Sequence, residues 1–516
     1  MSHDHGATAA QGNGHTRVPR ATAPALRGDD RTLVEQTVAW MRQRIDDRIC
    51  RPGTRVASIR ALAEERRISR FTVVQAYERL VARGYLESRR GSGFYVRDLV
   101  GEAGRAQRAR APRPGRARVP GPTDAGRIDA QWLVRNMFRD LPPHHMPGSG
   151  LPPPGWMDRG LLAGAIRALG RTMGSDDARS AGLLDYGRPQ GHLPLREALQ
   201  RKLAALAIEA DPAQIVTTSG ATQAFDLVAR HFIAPGDTVL VDDPAWFLMF
   251  GLFAAHGARV IGIPRLHDGP DLAVLERMVI EHKPRFYVID SVLHNPTSTS
   301  LSSAKAFQVL KLAEQHDFML IEDDVYADLH PGSTVSRGSI AAAPAMRIAS
   351  LDQLKRVIYV GSFSKTLAAN LRVGFLACEA SLAERFADHK MLAALTTPEL
   401  GERVVCRILA DGHYRKHVER LRGRFDAARD RAVRGIERVG LVVDHQPAAG
   451  MFVWARAPGI ETNALAARLF DQGYLLAPGS LFSPSQQPSS MLRFNIATSS
   501  NPGMLDALAR ALQTMA

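Results

Sequence analysis

Cysteine is scarce: the 516 residues contain three, Cys50, Cys378 and Cys406, odd in number and widely spaced. That argues against a disulfide frame or a cysteine-built zinc site and fits a reducing, cytoplasmic setting. No apolar run is long enough to span a membrane. Residues Met1 to Arg20 lack the apolar core of a secretory signal, so neither export nor a membrane partner is expected. Lysine is missing from residues 1–130, where 25 Arg face 14 Asp and Glu, a net charge of +11. The rest of the chain holds 41 basic and 38 acidic residues and contributes only +3. Nearly all the basicity therefore sits in one quarter of the chain, as in a polyanion-binding head on a near-neutral body. His144-His145 has no partner at ligand spacing, and no metal site is expected.

A chain of this length implies two or three domains. Residues 1–30, rich in Ala, Gly, Pro and His without periodicity, read as a disordered arm. Residues 31–98 read as a small domain. Val34, Val38, Met41, Ile45 and Ile49 make one helical face. Ser58 caps a short helix through Ile59 and Leu62, and Ser69 caps another through Val73, Tyr77 and Leu80. Only Arg66-Arg67-Ile68 remains for the turn between them, which predicts a helix-turn-helix. Two strands around Arg90-Gly91-Ser92-Gly93 then form a hairpin. Arg70 and Thr72 fall at the end of the third helix that enters a major groove, while Arg60, Arg89 and Arg90 are placed to pair with phosphates. A small helical domain with a solvated Arg face fits the same pattern.

Pro52-Gly53-Thr54-Arg55-Val56-Ala57-Ser58-Ile59-Arg60, then Ser69-Arg70-Phe71-Thr72-Val73, Gly84-Tyr85-Leu86 and Gly91-Ser92-Gly93-Phe94-Tyr95-Val96 resemble the winged helix-turn-helix of GntR-type bacterial regulators. The resemblance implies that Ser58, Arg60, Ser69, Arg70, Thr72, Arg89, Arg90, Gly91 and Gly93 lie at a DNA interface. Ala57 stands where that family usually has proline, which would loosen the helix entrance slightly.

Residues 99–149, dominated by Gly, Ala, Pro and Arg, read as a flexible linker. From residue 150 to 516, helical segments alternate with apolar runs at Thr238–Asp242, Arg259–Ile263, Phe286–Asp290, Met319–Glu322 and Val357–Val360, which predicts an α/β domain around a mainly parallel sheet. Polar groups follow these runs, where open α/β sheets place ligands. Ser219-Gly220-Ala221-Thr222 opens a helix whose N–H groups suit a phosphate. Trp246, in a turn after a strand, offers an indole to stack on a flat ring. Asn295 supplies an amide, and Glu322-Asp323-Asp324-Val325-Tyr326 a carboxylate and a phenol. Lys365, flanked by Ser362 and Ser364 with Arg372 beyond, suits a Schiff base with a carbonyl cofactor, though a surface lysine at a helix start fits that segment alone.

In their order these segments resemble fold-type I aminotransferases, which depend on pyridoxal 5'-phosphate (PLP) and carry a small C-terminal α/β subdomain. The resemblance implies that Lys365 forms the aldimine, Asp323 pairs with the pyridine nitrogen, Asn295 and Tyr326 hold the ring hydroxyl, and Trp246 stacks on the ring. Gly220, Ala221, Thr222, Ser362, Ser364 and Arg372 would cradle the phosphate, reached also by Tyr186 of the neighbouring subunit. Arg493 would clamp a substrate carboxylate, with Arg188 as a second anion contact. Ser298 stands where the Asn-Pro-Thr motif normally continues with Gly, which puts turnover in doubt more than cofactor binding. A GntR-type head on such a body is similar to the MocR subfamily of regulators. That implies a homodimer, binding of double-stranded promoter half-sites, and an amino acid or amine effector sensed by aldimine exchange at Lys365. The alternative is a competent aminotransferase, moving an amino group from an amino acid to a 2-oxo acid, with an appended DNA-binding head.

Overall fold

The computed structural model describes residues 32–46, 50, 53–89, 93–97, 130–139, 141–173, 183–331 and 345–515. The chain divides into two compact units, Met1–Gly121 and Pro122–Ala516.

The head is built from α1 (Leu33–Asp46), α2 (Ile59–Arg66), α3 (Arg70–Ala82) and a hairpin of β1 (Leu86–Arg89) and β2 (Gly93–Val96). Val38 and Met41 of α1 meet Leu62 of α2 and Val73, Ala76, Tyr77 and Leu80 of α3, with Leu86 and Val96 closing the core. Both helix entrances are capped as the serines predict: Ala61 N–H donates to Ser58 Oγ at 3.2 Å and Thr72 N–H to Ser69 Oγ at 3.0 Å. The turn is tight because Arg67 takes φ +54° and Ile68 N–H returns to the Ala63 carbonyl. The missing proline at Ala57 is offset by a long-range bond: the Tyr77 hydroxyl donates to the Ala57 carbonyl at 2.8 Å. Ile49, Arg90 and Gly91 lie outside the described residues.

The body starts earlier than expected. A helix spans Ala130–Met137, with Leu133 fully buried and Trp132 edge-on to Phe470 at 4.9 Å. Residues 141–150 pack on the same unit, where Asn495 N–H donates to the Pro147 carbonyl and Gly148 N–H to that of Leu475. Residues 130–137 and 141–149, expected as linker, are thus helical or packed on the body, and residues 99–129 lie outside the described residues. Apolar residues at helical spacing, Trp132-Leu133-Val134 and Met137, separate the two Pro- and Gly-rich stretches.

The main sheet has eight strands: β3 (Ile215–Thr218), β4 (Thr238–Asp243), β5 (Arg259–Leu266), β6 (Gly269–Pro270), β7 (Phe286–Ile289), β8 (Met319–Asp323), β9 (Val357–Ser362) and β10 (Gly374–Ala377). Their order is β3-β10-β9-β8-β7-β4-β5-β6. The run from β5 through β4, β7 and β8 to β9 is parallel, while β10 runs antiparallel to both its neighbours. Strands β3, β7 and β9 are buried throughout, as continuous apolar runs covered on both faces must be. A second sheet, β11 (Phe452–Arg456), β12 (Ala477–Pro478) and β13 (Met491–Asn495), is antiparallel in the order β11-β13-β12. The parallel register puts the C-terminal ends of β4, β7, β8 and β9 on one edge, so Asp242, Asp290, Asp323 and Ser362 share it. Among the described residues no helix is long and apolar enough to cross a membrane.

Candidate active site and nucleic-acid interface

Two groups of side chains form on that edge. The first gathers around Lys365, just past β9. Its Nζ donates to the Gly150 carbonyl at 3.0 Å and lies 5.5 Å from the centre of the Tyr326 ring. Burial lowers the Lys365 ammonium to about 8; Arg493 and Arg372 push the same way and Asp323 opposes them. At the end of β8, burial pushes the Asp323 carboxyl up to about 7, Asp324 adding to the push, while the Val325 N–H and Lys365 oppose it. Tyr326, edge-on to Phe452 at 5.3 Å, is raised above its ordinary value by burial.

Arg493 of β13, 2% exposed, reaches into this group from the smaller sheet. Nη1 donates to Asn295 Oδ1 at 2.8 Å and Nη2 to the Gly148 carbonyl at 2.7 Å. The guanidinium lies over Phe452 at 4.4 Å and over Phe482 at 4.9 Å. A Cβ on Gly150 would sit 3.6 Å from Arg493 Nη2 and 3.9 Å from Lys365 Nζ, so the two cations converge on one small residue. Gly148 and Gly150 are functional positions that sequence reasoning missed, since each acts through its backbone carbonyl.

The second group is a cradle at the start of helix Ala221–Phe232. Gly220, at φ +78°, precedes the helix, and a Cβ there would stand 2.5 Å from Arg372 Nη2. A Cβ on Gly374 of β10 would meet the Gly220 backbone at 2.8 Å, so this approach requires both glycines. Arg372 donates to the Ser219 carbonyl at 2.6 Å, and Ser362 Oγ donates to Ser364 Oγ at 3.1 Å. Ala221 and Thr222 occupy the first turn. Trp246 ends the β4 turn, half-buried, with its ring 5.8 Å from Phe225. Tyr186, 82% exposed, and Arg188, also exposed, lie at the surface of the chain.

The residues present fit a phosphorylated pyridine aldehyde. Asn295 Nδ2 is buried without a hydrogen-bond partner, a donor waiting for an acceptor such as a ring hydroxyl. The Gly220–Arg372 cradle offers helix N–H groups and a cation to a phosphate. Such a cofactor, attached to an amine, supplies an electron sink for bonds at the amine carbon.

Ser298 shows what replaced the expected glycine. Its φ is +56°, and its buried Oγ donates to the Phe452 carbonyl at 3.0 Å and accepts from the Phe452 N–H at 3.2 Å. One hydroxyl thus ties the Asn295 loop to β11, whose Phe452 carries Arg493. Ser298→Gly relieves about 1 kcal/mol of backbone strain. It also strips two buried backbone groups of a partner, about 1–3 kcal/mol each, and the second effect wins. Thermal unfolding of the body should therefore rank wild type above Ser298→Gly, and that above Ser298→Ala, which keeps the strain and loses the hydroxyl. The order is checked by differential scanning calorimetry.

In the head, Arg60 and Arg70 are exposed at the starts of α2 and α3, while the Ser69 and Thr72 hydroxyls pair with each other at 2.8 Å. Ser58 likewise spends its oxygen on the cap of α2. Gly93 opens β2 at φ +99°, and Arg89 ends β1 opposite it.

Residues 165–512 match the family model for aminotransferase class I and II, and residues 33–96 match that for bacterial regulatory proteins of the gntR family. The HTH-type transcriptional regulator TauR of Rhodobacter capsulatus is 28% identical over 480 residues, covering 90% of this chain and 93% of its own. The probable rhizopine catabolism regulatory protein MocR of Rhizobium meliloti is 28% identical over 443 residues, 84% of each chain. Among solved structures, kynurenine aminotransferase of Pyrococcus horikoshii is similar at 26% identity and a TM-score of 0.66, covering 75% of this chain and 93% of that one. The chain belongs to the aminotransferase class I and II family and, with its gntR-family head, has the architecture of the MocR-type regulators.

Proposed function

We propose that this regulator binds promoter DNA through its head and holds PLP at Lys365 in its body, where an amino acid or amine effector exchanges onto the cofactor and alters DNA binding. The observation that carries the reading is one chain joining a gntR-family head to a site in which Lys365, Arg493 and the unpartnered Asn295 Nδ2 converge. Asp323, poised at about 7, would be drawn to its anionic form by a pyridinium, which keeps that nitrogen protonated. Ser362, Ser364, Arg372 and the N–H groups of Ala221 and Thr222 would hold the phosphate, and Trp246 would cover the ring. Arg493 would take the effector's carboxylate.

A homodimer completes this reading. Leu184, Tyr186 and Leu392 are exposed by 82–87%, unusual for side chains of that size, and Leu395 and Leu400 are exposed as well. A Cβ on Gly187 would stand 3.0 Å from Glu399 Oε2, which puts the Tyr186 loop beside the helix that carries Leu400. Covering this apolar face with a second copy would bring Tyr186 towards the partner's cradle. Free cysteines, two of them buried, suit the cytoplasm.

A working aminotransferase is the less favoured reading, because the relatives TauR and MocR, which span the head as well as the body, carry regulator names. The deciding experiment is a gel shift with the upstream region of its own gene, with and without PLP and candidate amino acids. Arg70→Ala should weaken binding about tenfold or more, the loss of one base or phosphate contact, and leave cofactor absorbance unchanged. Failure to bind DNA selectively at moderate salt would overturn the reading, whereas multiple turnovers with a keto acid would favour the enzyme.

A further inference from the structure

The recognition helix carries a side chain that no solvated surface calls for. Phe71 is 69% exposed, on the first turn of α3 between Arg70 and Thr72. Elsewhere in the head the large apolar side chains are used in the core; Leu33, at 43%, is the other exposed one among the described residues. The placement follows from helix geometry. Val73, Ala76, Tyr77 and Leu80 point inward, so at about 3.6 residues per turn Phe71, Gln75 and Glu78 form the opposite stripe. Gln75 is half-buried and Glu78 exposed. Arg70 is exposed beside Phe71, and the first turn of α3 contains no acidic residue to repel a phosphate. A solvated helix face of a basic head would be filled with charge or amide at that position. An exposed phenyl ring costs solvation until something apolar covers it.

In a major groove the apolar feature of a base edge is the C5-methyl of thymine, and the feature that suits a glutamine amide is the N6/N7 edge of adenine. We infer that α3 reads an A·T-containing step in each half-site, with Phe71 packed on a thymine methyl and Gln75 paired to an adenine one turn further along. Arg60 anchors the head on a phosphate while Arg70 enters the groove beside Phe71, so part of the affinity is independent of the side chains that choose the sequence. The inference rests on the regulator reading and adds to it the chemistry of the sequence the head prefers.

The test uses the full-length protein with its cofactor. A site is recovered by selection from a random duplex pool, and each thymine in it is replaced in turn by uracil, which removes only the methyl. Wild type should lose about threefold to tenfold in affinity at one position per half-site and little elsewhere. Phe71→Ala should bind the thymine site that much more weakly and be indifferent to uracil at that position. Phe71→Leu, which keeps an apolar contact, should retain part of the discrimination. Because Phe71 is 69% exposed, both variants should unfold close to the wild-type temperature. A selected site whose every thymine tolerates uracil, or a Phe71→Ala variant with the wild-type uracil profile, would overturn the inference and leave the regulator reading standing. Recovery of no preferred site would instead remove the regulator reading, and this inference with it.

Discussion

A Lys365→Ala variant is expected to be purified without the visible absorbance of bound PLP and with its circular dichroism unchanged. The side chain makes one hydrogen bond, to the Gly150 carbonyl at 3.0 Å, and carries a charge that burial and Arg493 already disfavour, so little stability goes with it. What is lost is the nucleophile. An ordinary lysine, near 10.4, is almost wholly protonated at neutral pH; Lys365, lowered to about 8, presents a usable fraction of free amine. The sign gives a second readout. The free amine accumulates as pH rises through about 8, so cofactor-stripped protein should take up PLP faster from pH 7 to 9 and then level off. An unperturbed lysine would keep accelerating beyond pH 10. Stopped-flow absorbance measures both. Retained absorbance in Lys365→Ala would move the assignment to another amine, and Lys390 is the obvious one. It too is lowered to about 8 by burial, but its Nζ is fully enclosed, bonded to the Thr217 carbonyl at 2.8 Å and to Thr397 at 3.2 Å.

The sequence announces those parts of the site that depend on side chains at the ends of buried strands. β4, β7, β8 and β9 are short continuous apolar runs, and their ends were legible to within about two residues, which placed Asp323 and Lys365 on one edge. Capping serines marked α2 and α3 for the same reason: the chemistry is local. What escaped detection was either non-local or made of backbone. Gly148 and Gly150 contribute carbonyls, and their Pro-rich surroundings look like linker until Arg493 and Lys365, more than 200 residues away, come to rest on them. Ser298 was visible as a departure, but nothing local reveals that its hydroxyl faces the backbone of Phe452, 154 residues on. β10 is four residues long and antiparallel to both neighbours, with nothing in its pattern to reveal that Gly374 must let Gly220 approach. Phe71 stood inside the motif that identified the head, yet only burial shows that it points away from the core.

Arg493→Lys should separate the effector site from the cofactor site. The guanidinium lies over the rings of Phe452 and Phe482, with Nη1 on Asn295 and Nη2 on the Gly148 carbonyl. Burial lowers it to about 10, so it stays charged at neutral pH although it is only 2% exposed. A carboxylate entering there meets a planar cation able to accept it in two parallel bonds, and Nε has no partner within the protein. A lysine keeps the charge but loses the fork and the stacking, and one ammonium cannot span Asn295, Gly148 and a ligand together. Binding of L-alanine, followed by the shift in cofactor absorbance, should weaken about 100-fold, on the order of 3 kcal/mol for a desolvated charge-assisted pair. Ethylamine, the same amine without the carboxyl group, should bind as it does to wild type, and the cofactor should stay in place. Equal weakening of both ligands would mean that Arg493 serves to hold the Asn295 amide in position, and the carboxylate would need another partner. The same pair of titrations sorts the effector itself: if promoter binding of Arg493→Lys answers to the natural effector as wild type does, that effector carries no carboxylate at this site.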